Sequence, residues 1–196
     1  ANTGGTVFYS ANGVWETYAE HWAGFTFGLF VMADVCCEAV PPECFNLGNT
    51  CYIPYYIWSV PGTANSRIAM AEGFDLDPTG TRECTVKTVW FVAYDWIDTA
   101  FKVDVDVSVY DDASGLPGTA LATVTVPAAT VDAAILGSGW VGVDFSSFNL
   151  TAPPGGRLHA VVEAPTATPG TSGLFLLSDG GTDDAANCPE GASNTR

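Results

Sequence analysis

The sequence predicts an all-β protein, an antiparallel β-sandwich of jelly-roll-like character with an added disulfide-rich, aromatic N-terminal segment. Three observations predict it. Residues 101–110 alternate with period two, with Val103, Val105, Val107 and Val109 on one face and Lys102, Asp104, Asp106 and Ser108 on the other. That is the pattern of a strand buried on one side. Short apolar runs recur through the second half, divided by Pro127, Pro153-Pro154, Pro165 and Pro169, where proline costs a sheet nothing. Four cysteines, Cys36, Cys37, Cys44 and Cys51, crowd into an aromatic-rich first third.

Taken in order, Thr6-Val7-Phe8-Tyr9-Ser10 is a short apolar strand between Asn2-Thr3-Gly4-Gly5 and the turn-forming Asn12-Gly13. Trp15 to Trp22 has helical length but no cap. Phe25, Phe27 and Leu29 alternate as a strand, and Tyr52 to Val60 forms another, with Pro54 marking an edge or bulge. Further strands are expected at 84–94, 101–110, 120–126, 140–146, 157–164 and 172–178, with a dense turn cluster from Asp111 to Gly118. The chain reads as one domain, 1–196, in which 1–66 supply the aromatic, Cys-rich extension and edge strands and 67–196 the sandwich core.

Apolar residues make up 47% of the 196 and charged residues 14%, which excludes disorder. It also leaves little charge to cover a surface, so aromatic surface is expected to be buried against a partner. The 22 acidic residues against 6 basic ones give a net charge of −16. A nucleic-acid partner is excluded on that ground, since phosphate binding needs Lys and Arg clusters, and anionic membrane surfaces are disfavoured. The longest apolar stretch, Trp22 to Ala33, is broken by Gly24 and Gly28 and is too short to span a membrane. Ala1 reads as a mature N-terminus left after a signal peptide is removed, hence an extracellular or cell-surface protein. Asn149-Leu150-Thr151 matches an N-glycosylation sequon.

The six cysteines, Cys36, Cys37, Cys44, Cys51, Cys84 and Cys188, read as disulfides of an oxidising compartment. A four-thiolate zinc site is the competing reading, but neither the adjacent Cys36-Cys37 nor the wide gaps fit its C-x₂₋₄-C habit. The expected pairing joins Cys36 and Cys37 to Cys44 and Cys51, and Cys84 to Cys188. Bonds between chains remain an alternative.

Arg67 to Leu76, Cys84 to Phe91, the strand Val107-Ser108-Val109-Tyr110 leading to Gly115-Leu116-Pro117-Gly118, and Trp140 to Ser146 share a likeness. Over about residues 67–178 the chain resembles jelly-roll β-sandwich modules of bacterial secreted and cell-surface proteins. The resemblance implies an extracellular sandwich for display, adhesion, carbohydrate contact or assembly, and brings no catalytic residues.

No nucleophile elbow, phosphate-binding loop or H-E-x-x-H stands in the sequence. His21 lies among aromatics, His159 alternates outward from a strand, and Asp104 and Asp106 share a solvent-side face, so none forms an acid–base site. The sequence therefore points away from an enzyme. No cofactor is expected beyond calcium, for which Asp75, Asp77, Asp111, Asp112, Asp179, Asp183 and Asp184 lie in turns, without EF-hand spacing. The functional expectation is a secreted structural subunit that assembles into a filament, sheath or surface layer. N-terminal strand donation through Val7, Phe8 and Tyr9 would join its subunits. The alternative is a carbohydrate-binding or adhesin module with glycans as partners. The disulfide frame carries its own test: the denatured, unreduced protein should show no thiol by colorimetric titration, and two or more per chain would refute the frame.

Overall fold

A computed structural model describes residues 7–10, 13–17, 31–38, 42–48, 56–60, 67–77, 79–94, 103–168 and 172–178. Two antiparallel sheets pack face to face. The first contains β1 (Val7–Ser10), β2 (Trp15–Thr17), β6 (Arg67–Asp75), β8 (Val105–Ala113), β9 (Leu116–Val126) and β12 (Arg157–Glu163), in the order β2-β1-β6-β12-β8-β9. The second follows the path β4-β3-β7-β13-β5. Its strands are β3 (Val31–Cys37), β4 (Glu43–Gly48), β5 (Tyr56–Val60), β7 (Cys84–Tyr94) and β13 (Leu174–Ser178). Two short strands, β10 (Trp140–Asp144) and β11 (Thr151–Ala152), also pair with β7.

The inner faces share one core. Val105, Val107 and Val109 of β8 point into it, as the alternation predicts, with Leu158, Ala160 and Val162 of β12 beside them and Val31, Ala33, Val35, Val89 and Phe91 opposite. The first third is therefore not only an extension: β3 lies inside the second sheet, between β4 and β7.

Four local outcomes differ from the sequence expectation. Trp15–Thr17, in a stretch of helical length, is strand β2. The turn cluster 111–118 contracts to Ser114-Gly115, both at positive φ (60° and 90°), with strand pairing continuing through Asp112↔Pro117 and Ala113↔Leu116. A two-residue loop of that conformation matches the twist of its flanking strands. A helix, α1 (Ala128–Ile135), follows β9. It buries Val131, has no side-chain cap, and the Ala128 N–H donates to Asp104 Oδ1 at 3.0 Å. The cysteine-rich stretch, for which the sequence predicts no strand, forms β3 and β4.

The cysteine pairing is corrected in part. Cys36 joins Cys44, but Cys37 joins Cys84, not Cys44 or Cys51, and Cys84 is thereby not bonded to Cys188. Register gives the reason. Cys36 stands opposite Cys44 on β4, whereas the β4 residue opposite Cys37 is Glu43 and its β7 neighbour is Cys84. Successive strand residues face opposite ways, so Cys37–Cys84 lies in the core and Cys36–Cys44 on the outer side. Cys51 and Cys188 lie outside the described residues.

The Cys37–Cys84 bond spans 47 residues and Cys36–Cys44 spans 8. Loop closure then assigns about 4 kcal/mol to the first and about 2.5 kcal/mol to the second. Denaturant unfolding of C37S/C84S and C36S/C44S should rank in that order; equal losses would remove chain closure as the cause.

Candidate functional site

The outer face of the second sheet is organised by a bulge in β7. Pairing with β3 shifts between Asp34 and Val35: Asp34 lies opposite Thr88 and Val35 opposite Val86, which leaves Lys87 as the extra residue. Phe145 donates its N–H to the Lys87 carbonyl at 2.8 Å. One extra residue reverses the alternation of everything after it. Cys84 and Val86 face inward before the bulge and Val89, Phe91 and Ala93 after it. Trp90 is thereby turned outward.

There its indole N–H donates to Asp34 Oδ2 at 2.8 Å, and Asn46 Nδ2 donates to Asp34 Oδ1 at 2.6 Å. The six-membered ring lies over Gly142 of β10. A methyl group at position 142 would meet ring carbons Cζ3, Cη2 and Cε3 at 2.6, 2.8 and 2.9 Å. Three adjacent carbons at nearly equal distance mean the ring lies face-on to the sheet. One row along the same face, an open depression of about 700 Å³ is lined by residues including Cys36, Cys44, Pro42, Thr85 and Lys87.

The outer face of the first sheet is closed instead. Ala69, Ala71 and Val161 are buried beneath Trp15, Tyr110 and Leu116, and the Trp15 and Tyr110 rings meet edge to face at 6.1 Å. His159, expected to alternate outward, does face this side but is only 2% exposed. Gly73 makes the room: a methyl group there would lie 3.0 Å from the imidazole Cε1. Nε2 pairs with Asp112 Oδ1 at 2.8 Å, while Nδ1 is buried with no hydrogen-bond partner among the described residues. Burial holds the His159 pKa below its ordinary value, with the Asp112 carboxylate opposing that effect and Arg157 adding to it. Arg157 itself forms a bidentate pair with Asp75, Nε–Oδ1 2.8 Å and Nη2–Oδ2 3.0 Å.

The acidic turns are occupied by donors. Asp77, 3% exposed, accepts from the N–H groups of Thr79, Thr81 and Arg82 at 3.0, 2.6 and 2.7 Å, from the Thr79 hydroxyl, and from the Arg82 guanidinium at 3.1 Å. Arg82 also reaches Glu43. Burial works against the Asp77 carboxylate, but the Thr79 hydroxyl and the three N–H groups outweigh it and hold its pKa well below the ordinary range. Asp111 accepts the Thr119 N–H, and Asp112 accepts the Gly115 N–H at 3.1 Å. Asp75, Asp77, Asp111 and Asp112 thus point at N–H groups rather than converging, and no group of three metal-ligating side chains occurs among the described residues. Asp179, Asp183, Asp184 and His21 lie outside those residues. Asp104 and Asp106 are on the solvent side, as expected, with Asp106 accepting the Thr125 hydroxyl at 2.6 Å. Asn149 of the sequon is exposed, at φ 51°.

Val7–Ser10 pairs with β6 and β2 of its own chain. Among the described residues no helix is long and apolar enough to cross a membrane. No protein-family model matches the chain, and no curated protein matches it.

His159 and Asp77 both make acid destabilising. Below about pH 6.5 the unfolded chain takes up a proton that buried His159 refuses, and below about pH 3.9 the same holds for Asp77. The contribution of these two groups is therefore fully present above about pH 7 and falls in two stages. Unfolding measured from pH 8 to pH 2 should lose its upper stage in His159→Gln and its lower stage in Asp77→Asn. A His159→Gln variant with the wild-type slope between pH 7 and 5 would contradict the assignment.

Proposed function

We propose that the protein is an extracellular structural subunit that associates with copies of itself by extending its first sheet. The observation that carries this reading is the edge strand β9. It ends the sheet, pairing with β8 alone among the described residues. No charged residue lies between Asp112 and Asp132 in a chain of net charge −16. Natural edges are blunted by Lys, by inward charge, by Pro or by bulges; β9 carries Pro117 and two register shifts against β8 in its first half, at Leu121 and between Pro117 and Ala120, and pairs regularly from Ala122 to Val126. β9 is eleven residues long, and from Leu121 to Val126 it carries only Leu, Ala, Thr and Val. Leu121, 44% exposed, lies on its solvent side.

A second copy is the occupant this edge suits. Between chains this acidic, an uncharged strand is where backbone groups can approach without like charges being opposed. Joining β9 to the opposite edge, β2, repeats head to tail and propagates, whereas β9 on β9 closes a two-fold dimer. Donation of Val7, Phe8 and Tyr9 becomes an exchange on this reading, in which β1 leaves its own β6 and takes the same register on a neighbour's. The two disulfides support an oxidising compartment for such a subunit.

The test is Thr119→Lys/Leu121→Lys, two exposed positions where substitution should shift stability by no more than about 0.5 kcal/mol. Light scattering and negative-stain microscopy should show wild-type polymers or dimers and variant monomers. Wild-type protein that stays monomeric at high concentration would overturn the reading. Polymers that survive the lysines but vanish on deleting residues 1–10 would move the join from β9 to β1.

A further inference from the structure

The flat indole on the second sheet suggests a ligand of its own. We propose that the outer face built by Trp90, Asp34, Asn46 and Gly142 binds a neutral polysaccharide, with Trp90 stacking on a pyranose ring and Asp34 and Asn46 bonding its hydroxyls. A pyranose presents C–H groups on its faces and hydroxyls around its rim. Its receptor is therefore a fixed aromatic plane with polar groups beside the plane's edge.

Each requirement has its residue. Gly142 is the device that lets the ring lie flat, since any side chain there would collide with it. The bond from Nε1 to Asp34 at 2.8 Å fixes the ring's rotation, so little side-chain freedom remains to be lost on binding. Asp34 is positioned in turn by Asn46 at 2.6 Å. A carboxylate has about four acceptor sites, and the Trp90 and Asn46 bonds use one on each oxygen, so ligand hydroxyls can be accepted at the indole's edge. Asn46 is exposed and contributes its amide beside them. The depression of about 700 Å³ along Cys36–Cys44, Thr85 and Lys87 continues the same face and gives room for a second sugar unit of a chain.

Charge selects within the class. Asp34 and Asp144 on this face, Glu38 beside the depression and the net charge of −16 repel uronate and sulfated polymers, which leaves neutral glycans. The face is distinct from β9, which belongs to the other sheet.

Affinity electrophoresis in native gels containing mixed-linkage β-glucan, arabinoxylan or galactomannan, with polygalacturonate as the acidic control, tests the proposal. Retardation is expected in at least one neutral polymer, together with a change in indole fluorescence when a hexasaccharide of that polymer is titrated. Trp90→Ala should weaken binding about tenfold or more, Trp90→Phe should retain part of it, and Leu136→Ser, at an 89% exposed position after α1, should leave it unchanged. Asp34→Asn, which keeps the shape but weakens the hold on the indole, should reduce binding and serves if Trp90→Ala does not fold. No retardation by any neutral polymer, retardation by polygalacturonate alone, or equal retardation of wild type, Trp90→Ala and Asp34→Asn would each overturn it.

Discussion

The register between β3 and β7 is the constraint on which the second sheet depends. Cys37–Cys84 fixes it at one end, and the Lys87 bulge then offsets everything beyond. Were Lys87 paired regularly rather than bulged, the alternation from Cys84 would carry Trp90 into the core and bring Val89 out, and the sandwich would lose Phe91 from its centre. With the bulge, two inward residues before it and three after it fill the core, and Trp90 meets Asp34 across the strand pair. Cys36–Cys44 adds β4 to the same frame, which brings Asn46 level with Asp34. A covalent bond and a backbone irregularity together set a geometry that no local preference of Trp90 dictates.

The acidic character has a similar division of labour. Asp75 and Asp77 bind guanidinium groups, Asp77 also gathers backbone N–H groups, and Asp112 carries the buried imidazole. These carboxylates close turns and seams, and their charge is met where it falls. Glu163 is the reverse case: burial, with Asp106 nearby, raises its pKa. Other acids, among them Glu38, Glu83 and Asp144, face solvent, which is why an uncharged edge strand and a flat indole stand out in a chain of net charge −16.

Much of the fold was legible. The β8 alternation could be read residue by residue because it is regular and half-buried, and β10, β12 and β13 followed from the same period. The second strand of the first third was also legible in part, ending at Val60 as expected. β3 and β4 were not, because Val31 to Cys37 mixes Asp34 and two cysteines into its period, so that only the partner strands reveal which face is inside. α1 escaped because eight residues rich in Ala, without a capping side chain, carry little periodic signal. The bulge left no mark in the sequence beyond two polar residues in succession, Lys87-Thr88, and with it the pairing of Trp90 and Asp34, 56 residues apart, stayed hidden. The cysteine pairing needed the sheet order, which composition does not encode.

The place of β12 has a consequence for the order of folding. β8 and β9 form a hairpin of adjacent strands, so they can pair as soon as both are synthesised. β6 and β8 are not neighbours in the finished sheet, because β12 lies between them and is hydrogen-bonded to both. Until residues 157–163 arrive, the nascent chain holds two part-sheets with facing unpaired edges, one of them carrying Asp75. The arrival of β12 closes that gap and brings Arg157 onto Asp75 across 82 residues, so that a single late strand converts two halves into one sheet. The interval before it arrives is when the chain is most open to pairing with the wrong partner.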